Sequence, residues 1–71
     1  MKQLNVVLRE AQRHDSELGG MASITVSYNP YDGEWLAKAD WSSGISFVAT
    51  NEDVDSAVTK LLSLLMERPH T

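Results

Sequence analysis

Histidine is the side chain best suited to moving a proton near neutral pH, and this sequence has two: His14, followed directly by Asp15, and His70, after Pro69. With no cysteine, a nucleophile would have to be a serine beside one of them. His14 falls near the end of an amphipathic segment and His70 in the tail, so neither is expected to be held by rigid structure. Asp32, Glu34 and Asp40 read as turn and strand-edge carboxylates, which are ordinarily solvated rather than tuned as acids or bases. Neither His14 with Asp15 nor the other acids show the His/Cys/Asp/Glu spacing of a metal site. Gly19, Gly20, Gly33 and Gly44 are each explained by a turn, and no glycine-rich loop with a following lysine is present to cradle a phosphate. The expectation is a protein that is not an enzyme and needs no cofactor or metal.

Charge says more than chemistry. Residues 1–13 carry Lys2, Arg9 and Arg13 against Glu10, a balance of +2. Residues 14–59 carry Asp15, Glu17, Asp32, Glu34, Asp40, Glu52, Asp53 and Asp55 against Lys38, a balance of -7, and residues 60–71 return +1. Nucleic-acid binding rests on clustered Lys and Arg that neutralise phosphates, and six scattered basic residues around so acidic a centre give no such footprint. The acidity has two readings: solubility for a small protein, or a surface aimed at a basic protein partner.

At 71 residues and 7.9 kDa the chain has room for one domain, residues 1–71, and its 42% hydrophobic and 23% charged residues are those of a folding chain. Without disulfides it must be held by core packing, a partner, or both. No run approaches the roughly 18 consecutive apolar residues of a membrane helix. Met1-Lys2-Gln3-Leu4-Asn5 lacks the apolar block of a signal peptide, so a soluble cytoplasmic protein is expected.

The elements follow from hydrophobic period. Leu4, Val7, Leu8, Ala11 and Leu18 recur at helical spacing and predict a helix over residues 2–18, stopped by Gly19-Gly20. Alternation then predicts strands over 23–29, 34–41 and 45–50, joined by Asn29-Pro30-Tyr31-Asp32-Gly33 and Ser42-Ser43-Gly44. Pairing Asn29 with Glu34 sets Tyr28 opposite Trp35, Val26 opposite Ala37 and Ile24 opposite Ala39. Pairing Trp41 with Ile45 sets Ala39 opposite Phe47 and Ala37 opposite Ala49. One apolar face results, with small alanines at its centre and Tyr28, Trp35, Trp41 and Phe47 at its ends, a trough suited to a helix.

That helix is predicted over residues 51–68, with Thr50 as its cap and Asp53 in capping-box position. Its apolar residues span roughly 200° of its circumference, more than one sheet covers. A homodimer through Leu62, Leu64 and Met66 is one way to cover the rest; helix one is the other. The fold class is therefore α+β, in the order α-β-β-β-α, a three-stranded antiparallel meander with both helices on one face.

Four of the five aromatics lie between residues 28 and 41. Tyr28, Trp35 and Trp41 share the core phase, whereas Tyr31, on the turn beside Asp32, is placed for a contact. The outer sheet face carries Leu36 and Val48 among polar residues, a modest docking patch.

The element order is similar to that of double-stranded-RNA-binding domains. The lysine-rich start of that family's second helix is replaced here by Asn51-Glu52-Asp53-Val54-Asp55, which repels phosphate. From Tyr28 to Leu65 the chain resembles the core of HicB-like antitoxins, through Asp32-Gly33, Trp35, Ala37, Gly44, Thr50, Glu52-Asp53 and Ala57 in order. The Pro-bearing turn that normally precedes the second of these glycines, Gly44 here, is missing. The resemblance implies a small interaction module that binds and neutralises or regulates a protein partner; the acidic centre itself points to Asp32, Glu34, Asp40, Glu52, Asp53 and Asp55 as the charges of that contact, and the turn position to Tyr31 as its aromatic. The alternatives are a phage-type acidic inhibitor, which presents the same carboxylates in place of nucleic-acid charge, and a purely structural homo-oligomeric subunit, whose contact is Leu62, Leu64 and Met66.

Overall fold

Leu4, Val7, Leu8 and Ala11 recur every three or four residues, and in the computed structural model, which describes residues 2–67, they form the inner stripe of α1 (Lys2–Gln12). A second, short helix, α2 (Asp15–Leu18), follows and is closed by Gly19 in the left-handed conformation, φ 77°. The chain then makes three strands, β1 (Ala22–Asn29), β2 (Glu34–Trp41) and β3 (Ser46–Asn51), and ends in α3 (Val54–Glu67). Arg68, where the last helix was expected to end, and His70 lie outside the described residues.

The strands form an antiparallel meander, β1-β2-β3, in the register that alternation predicts. Tyr28 faces Trp35, Val26 faces Ala37, and Ile24 faces Ala39. On the other side Ala37 faces Ala49, and Ala39 faces Phe47. Ala37 and Ala39 are fully buried and Ala49 nearly so, which lets α3 settle onto β2 and β3 with Ala57, Val58, Leu61 and Leu65 turned inward. Next to α3, α1 covers β1 and adds Val7 and Ala11 to the core. Both helices therefore occupy one face of the sheet. Trp41 closes one end of the trough edge-on to Phe47, with ring centroids 5.6 Å apart.

The single helix expected over residues 2–18 is broken at Arg13 and His14. Arg13 N–H is shared between the carbonyls of Arg9 and Glu10, each at 3.3 Å, and His14 N–H reaches back to Ala11 at 3.0 Å. The break has a cause in the packing. It lets the His14 ring turn into the core, and it tilts α2 so that Leu18 is buried while Asp15 reaches the start of β1. The last helix also starts later than expected. Thr50 pairs with Leu36 and stays in β3, so it cannot cap a helix. Asp53 does so instead, accepting from Ser56 N–H at 3.0 Å and from Ser56 Oγ at 3.2 Å.

Tyr28 is a further difference. It shares the core phase of β1 and stacks obliquely on Trp35, centroids 5.1 Å apart, yet it is 50% exposed. β1 is a sheet edge and α3 lies over the other two strands, so the far end of β1 is left without cover.

The loops at the other end are tied closely. Met21 N–H donates to Ser42 Oγ at 2.9 Å, and Ser43 Oγ donates to the Leu18 carbonyl. Gly20, at φ 152°, passes so near this loop that an added Cβ would lie 2.9 Å from the Ser42 main-chain nitrogen. Gly20→Ala is accordingly expected to destabilise the fold by about 1–3 kcal/mol, read as a lower urea midpoint at unchanged slope.

Candidate functional site

The turn between β1 and β2 is built by Asn29. Its Oδ1 accepts from Tyr31 N–H at 3.0 Å and its Nδ2 donates to Asp32 Oδ2 at 2.9 Å, while Gly33, at φ 69°, lets the chain reverse. The loop is thereby fixed with Tyr31 projecting from it, 96% exposed. Glu34 opens β2 immediately after.

Sheet register brings the second group of acids to the same end. Trp35, next to Glu34, pairs with Asn51, the last residue of β3. The chain then passes through Glu52 and Asp53 into α3, with Asn51 Oδ1 accepting from Asp53 N–H at 3.1 Å. Asp32, Glu34, Glu52, Asp53 and Asp55 thus lie at one end of the sheet, the end that also carries the exposed Tyr31 and the half-exposed Tyr28. Asp53 is engaged in capping α3; Glu52 and Asp55 are exposed on either side of it. Asp40 lies apart. It sits at the opposite end of β2, where it pairs with Ser23 and Ser46 and accepts from Ser23 Oγ.

Beside this end, the first turns of α3 and the end of β3 leave an open concavity of about 380 Å³, lined by Asn51, Asp55, Ser56, Thr59 and Lys60. Lys60 Nζ donates to the Thr50 carbonyl at 3.3 Å, which holds the ammonium against the free edge of β3. The lining offers amide, hydroxyl, carboxylate and ammonium groups together, a surface that hydrogen-bonds in either sense.

Of the residues expected at a dimer contact, Leu62 packs partly against the core, while Leu64 and Met66 are exposed. Leu36 is half-buried and Val48 exposed on the open face of the sheet.

His14, expected to lack rigid support, is fully buried. Its Nε2 lies 3.2 Å from the Leu65 carbonyl. A carbonyl only accepts, so Nε2 carries the hydrogen and donates. Nδ1 faces Glu17 Oε2 at 3.6 Å. The ring ties the break after α1 to α3 and has no face open to a substrate.

Asp15 is the polar residue whose role the sequence left unread. Its Oδ1 accepts from both Ala22 N–H, at 3.2 Å, and the Trp41 indole N–H, at 3.1 Å. It joins α2 to β1 and to the end of β2.

Among the described residues no group of three or more His, Cys, Asp or Glu side chains could hold a metal ion, and no helix is long and apolar enough to cross a membrane. No protein-family model, curated protein or solved structure matches the chain.

Proposed function

We propose that this protein is a small non-enzymatic interaction module that binds a basic protein surface through its acidic end and so neutralises or regulates that partner, as the likeness to HicB-like antitoxins implies. The observation that supports this reading is the placement of Asp32, Glu34, Glu52, Asp53 and Asp55 at one end of the fold, the end that also carries Tyr31, 96% exposed. Carboxylates of one sign, gathered at one end, steer a cationic partner and select it from neutral ones. An exposed aromatic at the same end supplies the apolar anchor that such contacts need. Asp40, at the far end, lies outside this surface. A role in catalysis has less support, because the His14 ring is enclosed by the core.

The test is affinity capture from the source cell at low and at high salt, comparing the native chain with the variant Asp32→Lys/Glu52→Lys/Asp55→Lys. Asp53 is left intact because it caps α3. The expected result is a basic protein retained at low salt, released at high salt, and bound at least about tenfold more weakly by the variant. Equal retention by the variant would refute the reading.

A further inference from the structure

The free edge of β1 is unusually open. Its eight residues, Ala22-Ser23-Ile24-Thr25-Val26-Ser27-Tyr28-Asn29, include no charge and no proline, and they pair with β2 without a bulge. Charges, prolines and bulges are devices by which proteins blunt a sheet edge, and β1 carries none of these three. At the other edge, by contrast, Lys60 sits on the Thr50 carbonyl.

The main-chain groups that β1 offers can be read from the turn. Gly33 N–H donates to the Asn29 carbonyl at 2.9 Å, so Asn29 faces β2. By alternation Ser27, Thr25 and Ser23 face β2 as well, while Ala22, Ile24, Val26 and Tyr28 face outward. Ala22 N–H is accordingly found turned away from β2, on Asp15 Oδ1. That leaves the N–H and C=O groups of Ile24, Val26 and Tyr28 directed outward along the edge.

We propose that this edge pairs antiparallel with the same edge of a second copy of the chain, about a two-fold axis at Val26, to make a continuous six-stranded sheet. Val26 then faces Val26, and Ile24 of each copy faces Tyr28 of the other. The three outward residues of each copy exchange every N–H and C=O they present, and the Ala22–Asp15 bond is undisturbed. On the core face Tyr28, which is 50% exposed in the single chain, gains a β-branched neighbour. On the open face Thr25 stands beside Ser27 of the other copy, a hydroxyl pair.

The edge is self-complementary about this axis, and charge along it does not oppose a copy as the occupant. No charged residue of either strand meets another, and the antiparallel arrangement sends the acidic ends in opposite directions. Asn29 of one copy lies roughly 20 Å along the strand from Asn29 of the other, beyond the screening length at physiological salt. This proposal is independent of the acidic-end reading, since it uses a different edge of the molecule.

Molar mass of the full chain, followed from micromolar to millimolar concentration, tests it. The expected result is a rise from 7.9 kDa to twice that value. Thr25 and Ser27 are exposed on the open face and Thr25 pairs with Lys38, so Thr25→Glu/Ser27→Glu should keep the monomer fold, checked by circular dichroism, and weaken dimerisation at least about tenfold by opposing like charges. Because the chain has no cysteine, mixing a Thr25→Cys chain with a Ser27→Cys chain should also give a disulfide-linked pair under mild oxidation. A mass that stays at 7.9 kDa throughout overturns the proposal, as does a dimer that the glutamate variant leaves intact.

Discussion

Replacing Leu61 with alanine is expected to cost about 2–5 kcal/mol of stability, toward the upper part of the range for such truncations. Leu61 is fully buried on the inner stripe of α3. The floor beneath that helix is made of Ala37, Ala39 and Ala49, whose methyl groups have no reach with which to fill a void. The cavity would persist, and a persistent cavity adds its own cost to the lost transfer free energy. A domain of this length is stabilised by roughly 4–10 kcal/mol in all, so the variant would lose about half of its stability. Urea unfolding followed by circular dichroism checks this. A loss below about 1 kcal/mol would mean that α3 is not seated in the alanine trough.

The second large effect is expected at Asp15. One carboxylate oxygen accepts both the Trp41 indole N–H and the Ala22 N–H. Trp41 is 3% exposed, so removing the acceptor strands its N–H away from water. Asp15→Ala should therefore destabilise the protein by about 2–4 kcal/mol, as expected for hydrogen bonds to an ionised group and a buried donor left unmet. Asp15→Asn keeps an oxygen in the same place and should recover at least about half of that loss. Tryptophan fluorescence provides a local readout, since the alanine variant admits water beside Trp41. If both variants unfold at the native midpoint, Asp15 does not join α2 to the sheet.

The sheet was readable from sequence because its period is two and its turns are short. Once Asn29 is set opposite Glu34, and Trp41 opposite Ile45, every remaining pair is determined, and a slip of one residue would turn Ile24, Val26, Trp35 and Phe47 outward. The gathering of Glu34 with Glu52, and the separation of Asp40 from both, follow from that same register. His14 was harder. It stands on the stripe of Val7, Ala11 and Leu18, seven residues after Val7, so its burial had a local signal. A histidine on that stripe needs a polar partner, and the partner, the Leu65 carbonyl, lies 51 residues away. No local pattern marks it. The start of α3 failed for a related reason. Thr50 and Asp53 are both competent caps, and the choice between them is made by the pairing of Thr50 with Leu36 across the sheet. The break in the first helix likewise answers to Asp15 and Trp41, which are 26 residues apart.

The order of elements also bears on how the molecule assembles. Each strand pairs with its neighbour in the chain, and α3 folds back onto the two strands just before it, so these contacts close over short loops. The packing of α1 on α3 is different, because it joins segments separated by most of the chain and carries the larger loop-closure entropy. The meander and α3 should consequently form the folding nucleus, with α1 docking after the rate-limiting barrier. Truncations at Val7 and Ala11 would then accelerate unfolding while leaving the folding rate nearly unchanged, whereas Leu61→Ala would slow folding.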